Sequence, residues 1–340
     1  MRAARIHRWG DELRLEEIPE PRPAADEVLV RVQACGVGLT VLNCIRGDLG
    51  GDLAALPRVP GHELVGTIVE TGTGVEPGRR GERVTAHFYL FCGRCPRCLA
   101  AQEPVCDNLA GWVGVDRDGG YAELVTLPGR NAVSLPAGLD PVLATTIPDA
   151  IATPVHVCRR VGVRPGERVA VVAAGGGVGM HMVQVARVYG ADVVGLEVGA
   201  EKLDYLQREL EVRAVPSPDF AAVELPAAWA GRADVVVDLL GRVESLRWAV
   251  DHLAAGGRLA TLTSFRGVDF PISSRELVFG ETAILGSRYA SRHELALGAR
   301  LLADGRVRAV IGRREPLDRV TAIHEDLRAG RLLGRGALVW

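Results

Sequence analysis

The distribution of apolar positions divides the chain into two parts of different character. From residue 1 to about 148, short runs alternate between apolar and polar residues and end at Gly or Pro, as in Glu27 to Ala34, Glu63 to Glu70 and Tyr121 to Thr126. A period of two residues is typical of half-buried β-strands. The first part is therefore predicted to contain many short strands and few helices.

After Pro148, strand-like segments alternate with helix-like segments. A strand from Val169 to Ala173 leads into a glycine-rich turn and a helix. The later strands of this part are predicted at 193–197, 234–239 and 258–262, and its later helices begin at 201 and 243. Such alternation predicts a parallel, doubly wound sheet. The last fifty residues contain one predicted helix, Arg292 to Ala303, and their pattern assigns them to neither part.

The composition fits two globular domains. The chain has 340 residues, of which 48% are hydrophobic and 41 are glycine, and 40 Lys and Arg stand against 42 Asp and Glu, a formal net charge of −2. At roughly 150 residues per domain, this length predicts two domains that each bury a core. A near-neutral chain without a basic run argues against nucleic acid or an anionic membrane surface as its main partner.

The sequence predicts neither membrane insertion nor secretion. No apolar run reaches the roughly 18 residues that a membrane span needs. The basic segment from Met1 to Arg8 is followed by no apolar stretch of the kind that signal peptides contain. We therefore expect a cytoplasmic protein without a membrane partner.

A glycine-rich turn is the strongest candidate for cofactor binding. It reads Ala174-Gly175-Gly176-Gly177-Val178-Gly179, and Glu197 ends the next predicted strand, 18 residues after Gly179. Glycines let the backbone approach a pyrophosphate, and the helix N-terminus adds N–H donors. A carboxylate in this place accepts ribose hydroxyls and repels a 2′-phosphate, which favours NAD over NADP, although the nearby Lys202 weakens that preference. The plain alternative is a tight turn followed by a surface glutamate.

Four of the seven cysteines lie within 15 residues: Cys92, Cys95, Cys98 and Cys106. Four thiolates this close in sequence can form a closed tetrahedral shell around Zn²⁺, which stabilises a loop and leaves no position for a substrate. The competing interpretation is an iron–sulfur cluster, but the ferredoxin pattern usually continues C-x3-C-P. Here seven residues separate the third cysteine from the fourth, so the spacing favours a structural zinc lobe at about 90–108.

Together these features resemble the medium-chain dehydrogenase/reductase superfamily, and within it the zinc-containing alcohol dehydrogenases. Gly61-His62-Glu63-Leu64-Val65-Gly66 matches the zinc signature of that family, and Cys92 to Cys106 matches its structural zinc lobe. Asp149 to Thr153 resembles the segment that carries the third ligand of the catalytic zinc and enters the cofactor domain. Gly334 to Leu338 resembles the closing segment, whose arginine, here Arg335, meets the cofactor phosphates.

The resemblance covers essentially the whole chain and implies a domain organisation. It implies an α/β protein in which residues 1–148 and 289–340 form a GroES-like, β-rich catalytic domain. Residues 149–288 would form a Rossmann domain that binds NAD. The last fifty residues thus return to the first domain. A family member of this kind is expected to be a homodimer or homotetramer.

The resemblance also assigns roles to single residues. His62 and Asp149 align with ligands of the catalytic zinc, Glu63 is a further candidate ligand, and Thr40 aligns with the hydroxyl next to the reacting oxygen. Thr153 lies in the segment that enters the cofactor domain. Three apolar residues align near the family's substrate pocket and predict a fairly apolar small-molecule substrate: Phe88, Leu90 and Trp112. Alternatively, each of them is an ordinary core residue.

One departure from the family concerns the catalytic zinc. The family pattern is C-G-x-C-x-[T/S]-D, whose second cysteine is a zinc ligand, whereas this chain reads Cys35-Gly36-Val37-Gly38-Leu39-Thr40-Val41. The ligand position is Gly38, which has no side chain. Val41 replaces the aspartate, and Asn43 stands where a proton-relay histidine is often found. Catalytic zinc normally takes three protein ligands, and two of the three direct ligands remain.

Several alternatives follow for this site. Cys44 lies four residues after Thr40 and would face the same side of a helix, so Cys44 or His87 is a candidate replacement ligand. Alternatively, Cys44 is a small buried residue, as free cysteines usually are. His62 would then be a polar residue left from an ancestral site, and Asp149 the N-cap of the following helix.

Three functions follow from these observations. The first is an NAD-dependent alcohol dehydrogenase or carbonyl reductase, which the presence of Thr40, His62, Glu63 and Asp149 favours. The second is a reductase without catalytic zinc that acts on a C=C conjugated to a carbonyl, or on C=N, where hydrogen-bond donors hold the enolate. The third is a nucleotide-binding protein without turnover, which nothing in the sequence supports directly.

Overall fold

The computed structural model describes residues 1–49, 55–263 and 268–340. Its strands are β1 (Arg2–Arg5), β2 (Arg14–Glu17), β3 (Glu27–Val37), β4 (Glu63–Thr71), β5 (Arg83–Ala86), β6 (Leu124–Pro128), β7 (Ala132–Ser134), β8 (Arg168–Val172), β9 (Asp192–Glu197), β10 (Arg213–Pro216), β11 (Ala233–Asp238), β12 (Leu253–Thr261), β13 (Ala283–Gly286), β14 (Ile311–Pro316) and β15 (Arg335–Val339).

Its α-helices are α1 (Leu39–Arg46), α2 (Pro96–Leu99), α3 (Pro141–Ala144), α4 (Ala152–Val161), α5 (Gly179–Val188), α6 (Ala200–Arg208), α7 (Val243–Asp251), α8 (Ser274–Gly280), α9 (Arg292–Ala303) and α10 (Val320–Arg328). A π-helical turn, Ile147–Ile151, leads into α4. Short 3-10 turns lie at Pro77–Arg79, Glu103–Val105, Phe220–Ala222, Ala227–Trp229 and Leu317–Arg319. No helix among the described residues combines the length and the apolar character that a membrane span requires.

The first compact unit comprises Met1–Ala152, Ala290–Gly305 and Ala309–Trp340, within the described ranges. Its main sheet has the order β14-β15-β3-β4-β5-β7, and β6 also pairs with β3. The long strand β3 is central because it pairs antiparallel with β4, β6 and β15. This β-rich unit agrees with the predicted GroES-like architecture, and β14 and β15 bring the end of the chain into it.

The second unit, Thr153–Tyr289 with Arg306–Arg308, contains a six-stranded sheet of order β10-β9-β8-β11-β12-β13. All five pairs of neighbouring strands are parallel. This is the strand order 3-2-1-4-5-6 of a doubly wound nucleotide-binding sheet, in which β8 and β11 flank the point where the order reverses. The predicted Rossmann fold is therefore confirmed.

A buried histidine in the first unit predicts loss of stability in acid. His324 on α10 is 2% exposed, and its Nε2 lies 3.2 Å from the hydroxyl of the fully buried Tyr121. Burial lowers the pKa of His324 to about 4 from its ordinary 6.5. Below pH 6.5 the unfolded chain binds a proton that the native state does not, so stability falls as the pH falls, by up to about 1.4 kcal/mol per pH unit down to pH 4.

We expect His324→Gln, which keeps a hydrogen-bonding side chain without a titrating group, to reduce this loss. Urea unfolding of the wild type and of His324→Gln between pH 7 and pH 4.5 measures how much the free energy of unfolding falls in each protein. His293→Gln, at an exposed position of α9, is the matched control. If the free energy of unfolding of the wild type and of His324→Gln fell equally steeply with falling pH, His324 would not be a cause of the loss of stability.

Candidate active site and zinc lobe

The four clustered cysteines converge on one point. The Sγ atoms of Cys92, Cys95, Cys98 and Cys106 all lie within 4.8 Å of one another. The Cys92–Cys98 and Cys95–Cys106 sulfur pairs are each 3.9 Å apart. Tetrahedral coordination with Zn–S bonds of about 2.3 Å places sulfurs roughly 3.8 Å apart. The arrangement therefore fits a closed Zn²⁺ site.

The backbone around the cluster also favours thiolates. Backbone N–H groups of Cys92, Cys95 and Cys98 point at neighbouring sulfurs at 3.3–3.5 Å. The N–H of Arg94 lowers the pKa of Cys92 to about 6, whereas desolvation raises the pKa of Cys98. Four adjacent thiolates repel one another, so full ionisation of the set requires a cation. Zn²⁺ held here would be structural, because all four positions are taken by protein.

The glycine-rich turn connects β8 to α5, as predicted. A Cβ at Gly179 would lie 2.2 Å from the carbonyl oxygen of Ala173, so glycine is required for the close approach of the helix to the strand. The residue that precedes α5, Val178, provides no side-chain cap. The first N–H groups of α5 therefore have no capping side chain, which is the arrangement that receives a phosphate.

Glu197 lies beside this turn and is held there by the backbone. Its Oε2 accepts from Gly175 N at 2.8 Å, and its Oε1 accepts from Val198 N at 2.8 Å and Gly199 N at 3.1 Å. The side chain is only 7% exposed. Lys202, on α6, packs close to Gly175, since a Cβ there would lie 2.7 Å from Lys202 Cβ. The alternative of a mere surface glutamate is therefore wrong.

A second cluster of polar side chains lies in the first unit. Ligand atoms of His62, Glu63 and Asp149 are all within 4.8 Å of one another. His62 directly precedes β4, Glu63 begins that strand, and Asp149 lies in the π-helical turn before α4. Burial lowers the pKa of His62 to about 4 and raises the pKa of Glu63 to about 8. We call these three residues the acidic pocket.

The acidic pocket already contains a cation from the protein. Arg335 begins β15, is 4% exposed, and donates a hydrogen bond from Nη2 to Asp149 Oδ2. Its Nη1 lies 3.3 Å from Glu63 Oε1. The register of β15 against β3 pairs Gly336 with Val37, which places Arg335 next to Gly38 at the end of β3. The guanidinium of Arg335 thus lies between two carboxylates, and the contact with the cofactor phosphates that the resemblance implies for this arginine stays a prediction.

Two glycines make room for this ion pair. A Cβ at Gly38 would lie 1.5 Å from Arg335 Nη1 and 3.0 Å from Glu63 Oε1. A Cβ at Gly36 would lie 2.6 Å from Glu63 Oε2. The backbone of Gly38 is extended, with φ −129° and ψ 179°, so the requirement for glycine comes from space and not from backbone strain. The guanidinium therefore fills the volume that a cysteine side chain at position 38 would need.

A catalytic zinc does not fit these residues. The family's cysteine ligand is absent at Gly38, and a guanidinium that stays protonated occupies the space beside Glu63 and Asp149. A divalent cation a few ångströms from a fixed positive charge is strongly disfavoured in a buried site. His62 and Asp149 do lie close enough together to share a cation, but Arg335 is the cation that pairs with Asp149 and Glu63 in this structure, so their role as ligands of a catalytic zinc stays a prediction.

The candidate replacement ligands do not reach the pocket either. Cys44 donates from Sγ to the carbonyl oxygen of Gly114 at 3.0 Å, and burial raises its pKa to about 12. The ring nitrogens of His87 lie 2.9 and 3.0 Å from the carbonyl oxygens of Tyr89 and Ala290. Cys44 is thus a buried thiol, as the plainer alternative has it.

The structure also places the other residues that the sequence singled out. Thr40 is the second residue of α1 and is half-buried. The ring of Phe88 lies 4.2 Å from the ring of His62, so it does border the pocket. Trp112 packs edge-on against Tyr89, at 5.9 Å between ring centroids. Asp149 is not the residue that begins a helix, because it lies inside the π-helical turn Ile147–Ile151 that continues into α4. The need for glycine at position 36 and the inward arginine were missed, since both depend on contacts between distant segments.

Comparisons with known proteins agree with this architecture. The model of the alcohol dehydrogenase GroES-like domain matches residues 24–137, and the zinc-binding dehydrogenase model matches 177–304. An alcohol dehydrogenase of Geobacillus stearothermophilus is 32% identical over 99% of both chains. An acryloyl-coenzyme A reductase of Metallosphaera sedula is 29% identical, over 97% of this chain and 96% of the relative. A solved NAD-dependent alcohol dehydrogenase superposes with a TM-score of 0.91, at 31% identity over 100% of both chains.

A β-rich unit, a parallel doubly wound sheet, a four-cysteine lobe and a nucleotide-type turn therefore coincide with family matches to both units. The chain belongs to the zinc-containing alcohol dehydrogenase family of the medium-chain dehydrogenases/reductases.

Proposed function

We propose that this protein is an NAD(H)-dependent oxidoreductase of the alcohol dehydrogenase type, which transfers a hydride between nicotinamide and a small alcohol or carbonyl substrate. The observation that carries the proposal is the turn between β8 and α5, with Glu197 fixed beside it by three backbone N–H groups. Such a turn receives the pyrophosphate of a dinucleotide, and the carboxylate receives its ribose. The names of the relatives support the same chemistry.

In this proposal, each part of the site has its own role in cofactor binding or in the reaction. The backbone N–H groups at 176–179 and Glu197 would hold the cofactor, together with Lys202, which packs beside Gly175, and Thr153, which begins the second unit. The bound nicotinamide supplies or accepts the hydride. Thr40 would carry the proton of the substrate hydroxyl, and Phe88 would offer an apolar surface beside His62. The four cysteines would hold one structural zinc. Cytoplasmic location and assembly as a homodimer or homotetramer stay predictions.

Glu197 should determine the choice of cofactor. We expect Glu197→Ala to weaken NADH binding by about tenfold and to narrow the preference for NADH over NADPH, because it removes the ribose acceptor and the charge that repels a 2′-phosphate. Fluorescence titration with both cofactors measures the two dissociation constants. Glu201→Ala, at an exposed position of α6, is the control. If Glu197→Ala left both constants unchanged, the ribose role would be wrong.

The activity itself is tested on the purified wild type. NADH titration is paired with assays of NADH absorbance across primary and secondary alcohols, aldehydes, ketones and conjugated enals. We expect tight NADH binding together with turnover of at least one alcohol–carbonyl pair. Binding without turnover of any substrate would instead support the nucleotide-binding protein, and the proposal would fail.

The acidic pocket favours a second candidate function. Without a divalent Lewis acid, the rate of reduction of a simple ketone falls more than the rate of reduction of a conjugated C=C. In the conjugated substrate the developing negative charge is already delocalised. A guanidinium between Glu63 and Asp149 supplies one positive charge and hydrogen-bond donors, which suits an enolate oxygen. One relative is named as a reductase of acryloyl-coenzyme A, whose C=C is conjugated to a thioester. Turnover of enals without turnover of saturated alcohols would select this candidate.

A further inference from the structure

We infer that Arg335 replaces the catalytic zinc of the family: its guanidinium is the resident cation of the acidic pocket, and its Nε–H is the donor that the pocket offers to the substrate oxygen. The first half of this inference stands on geometry alone. The second half rests on the proposed oxidoreductase function.

The geometry links two distant positions of the chain. Gly38 lacks the cysteine ligand, and the volume of the absent side chain is where Arg335 Nη1 lies, 1.5 Å from an ideal Cβ at that position. The same guanidinium pairs with Asp149, the family's third ligand, and with Glu63. A cation thus contacts both Asp149 and the fully buried Glu63, and a buried carboxylate is costly unless it is paired.

The guanidinium also has a free donor. Nη2 donates to Asp149 and Nη1 faces Glu63, but the Nε–H of Arg335 is buried and has no hydrogen-bond acceptor among the described residues. A buried N–H without an acceptor is costly in a folded protein. Such a donor on a fixed cation suits an oxygen that gains negative charge during hydride transfer, because its orientation is set before the reaction.

The first test counts zinc on the intact protein. Elemental analysis after dialysis against a fixed free-zinc concentration should give about one zinc per wild-type chain, held by the four cysteines. The double variant Gly38→Cys/Arg335→Ala restores the family's third ligand and removes the cation, so it should bind about two. Two zinc ions on the wild type would overturn the inference. One zinc on a folded double variant would show that Arg335 is not what excludes the metal.

The second test separates this role from binding of the cofactor phosphates. Arg335→Ala should reduce kcat by about 100-fold or more while the Kd for NADH changes by less than about threefold. A weakening of NADH binding by tenfold or more, with kcat unchanged at saturating NADH, would assign Arg335 to the phosphates. That result would overturn the donor role.

Arg335→Ala removes the cation beside the buried Glu63, so a second variant guards against failure to fold. Arg335→Lys keeps the charge but has no Nε–H, and it should retain thermal stability and NADH affinity while kcat still falls by tenfold or more. Full activity of Arg335→Lys would overturn the role of the Nε–H donor. If the wild type turns over no substrate, the proposed function fails, but the zinc counts still decide whether Arg335 replaces the metal.

Discussion

Replacing Gly38 with alanine is expected to lower the free energy of unfolding by about 3 kcal/mol. The added Cβ would lie 1.5 Å from Arg335 Nη1, so the guanidinium must leave its place between Glu63 and Asp149. Overpacking of a tight site costs about 1–3 kcal/mol, and breaking a buried ion pair costs about 3–5 kcal/mol. Denaturant unfolding measures the effect, and the extended backbone of Gly38 excludes strain in φ as its cause.

The same change should cost little once the arginine is gone. On the background of Arg335→Ala, we expect Gly38→Ala to cost less than about 1 kcal/mol, so the two substitutions are strongly non-additive. The control is Gly286→Ala on β13, where an added Cβ meets nothing within 4 Å. This control should change stability by no more than about 0.5 kcal/mol. Additive effects of Gly38→Ala and Arg335→Ala would mean that the two side chains do not compete for one space.

Loss of one cysteine of the zinc lobe is the other large effect that we expect. Cys98→Ser should reduce zinc from about one per chain to near zero and lower the free energy of unfolding by about 4 kcal/mol or more. The physical reason is that four thiolates this close repel one another unless a metal ion neutralises them, and the lobe is packed around a small apolar cluster that includes Phe91. Elemental analysis and a thermal melt of each protein check this prediction.

Two comparisons make the zinc result specific. The melting temperature of the wild type treated with a strong chelator should be close to that of Cys98→Ser. Cys158→Ala removes a fully buried thiol of α4. This variant should keep its zinc, and its free energy of unfolding should fall by only about 1 kcal/mol. A Cys98→Ser protein that keeps zinc and melts like the wild type would show that the metal is held elsewhere.

Much of the fold could be predicted from local pattern, for a physical reason. In a segment that buries one face, the apolar residues recur with the period of its secondary structure, so the segment can be recognised from its own sequence. The helix predicted at Arg292 to Ala303 accordingly has those bounds in α9. The nucleotide-binding strands β8, β9 and β11 lie within a residue of the predicted bounds. By contrast, the pattern could not assign β15, because its partner β3 is at the other end of the chain. Only the resemblance placed it.

The site was predictable in its members but not in its arrangement. Motif spacing identified His62, Glu63 and Asp149, and the structure does bring them together. The closing segment, Gly334 to Leu338, implied a role for Arg335 at the cofactor phosphates and gave no sign of its contacts with Glu63 and Asp149. Where a long side chain points depends on the space that other segments leave, and here Gly38 leaves that space. The departure at position 38 was visible in the sequence, whereas its occupant was not.

The pairing of β15 with β3 has a consequence for the order of folding during synthesis. During synthesis β3 leaves the ribosome long before its partner strand β15, which carries Arg335. The doubly wound unit lies between them in the chain, and domains generally fold as units while synthesis continues. The part of β3 that pairs with β15 therefore stays unpaired while another unit folds. An unpaired strand edge can bind a chaperone or start aggregation of the nascent chain.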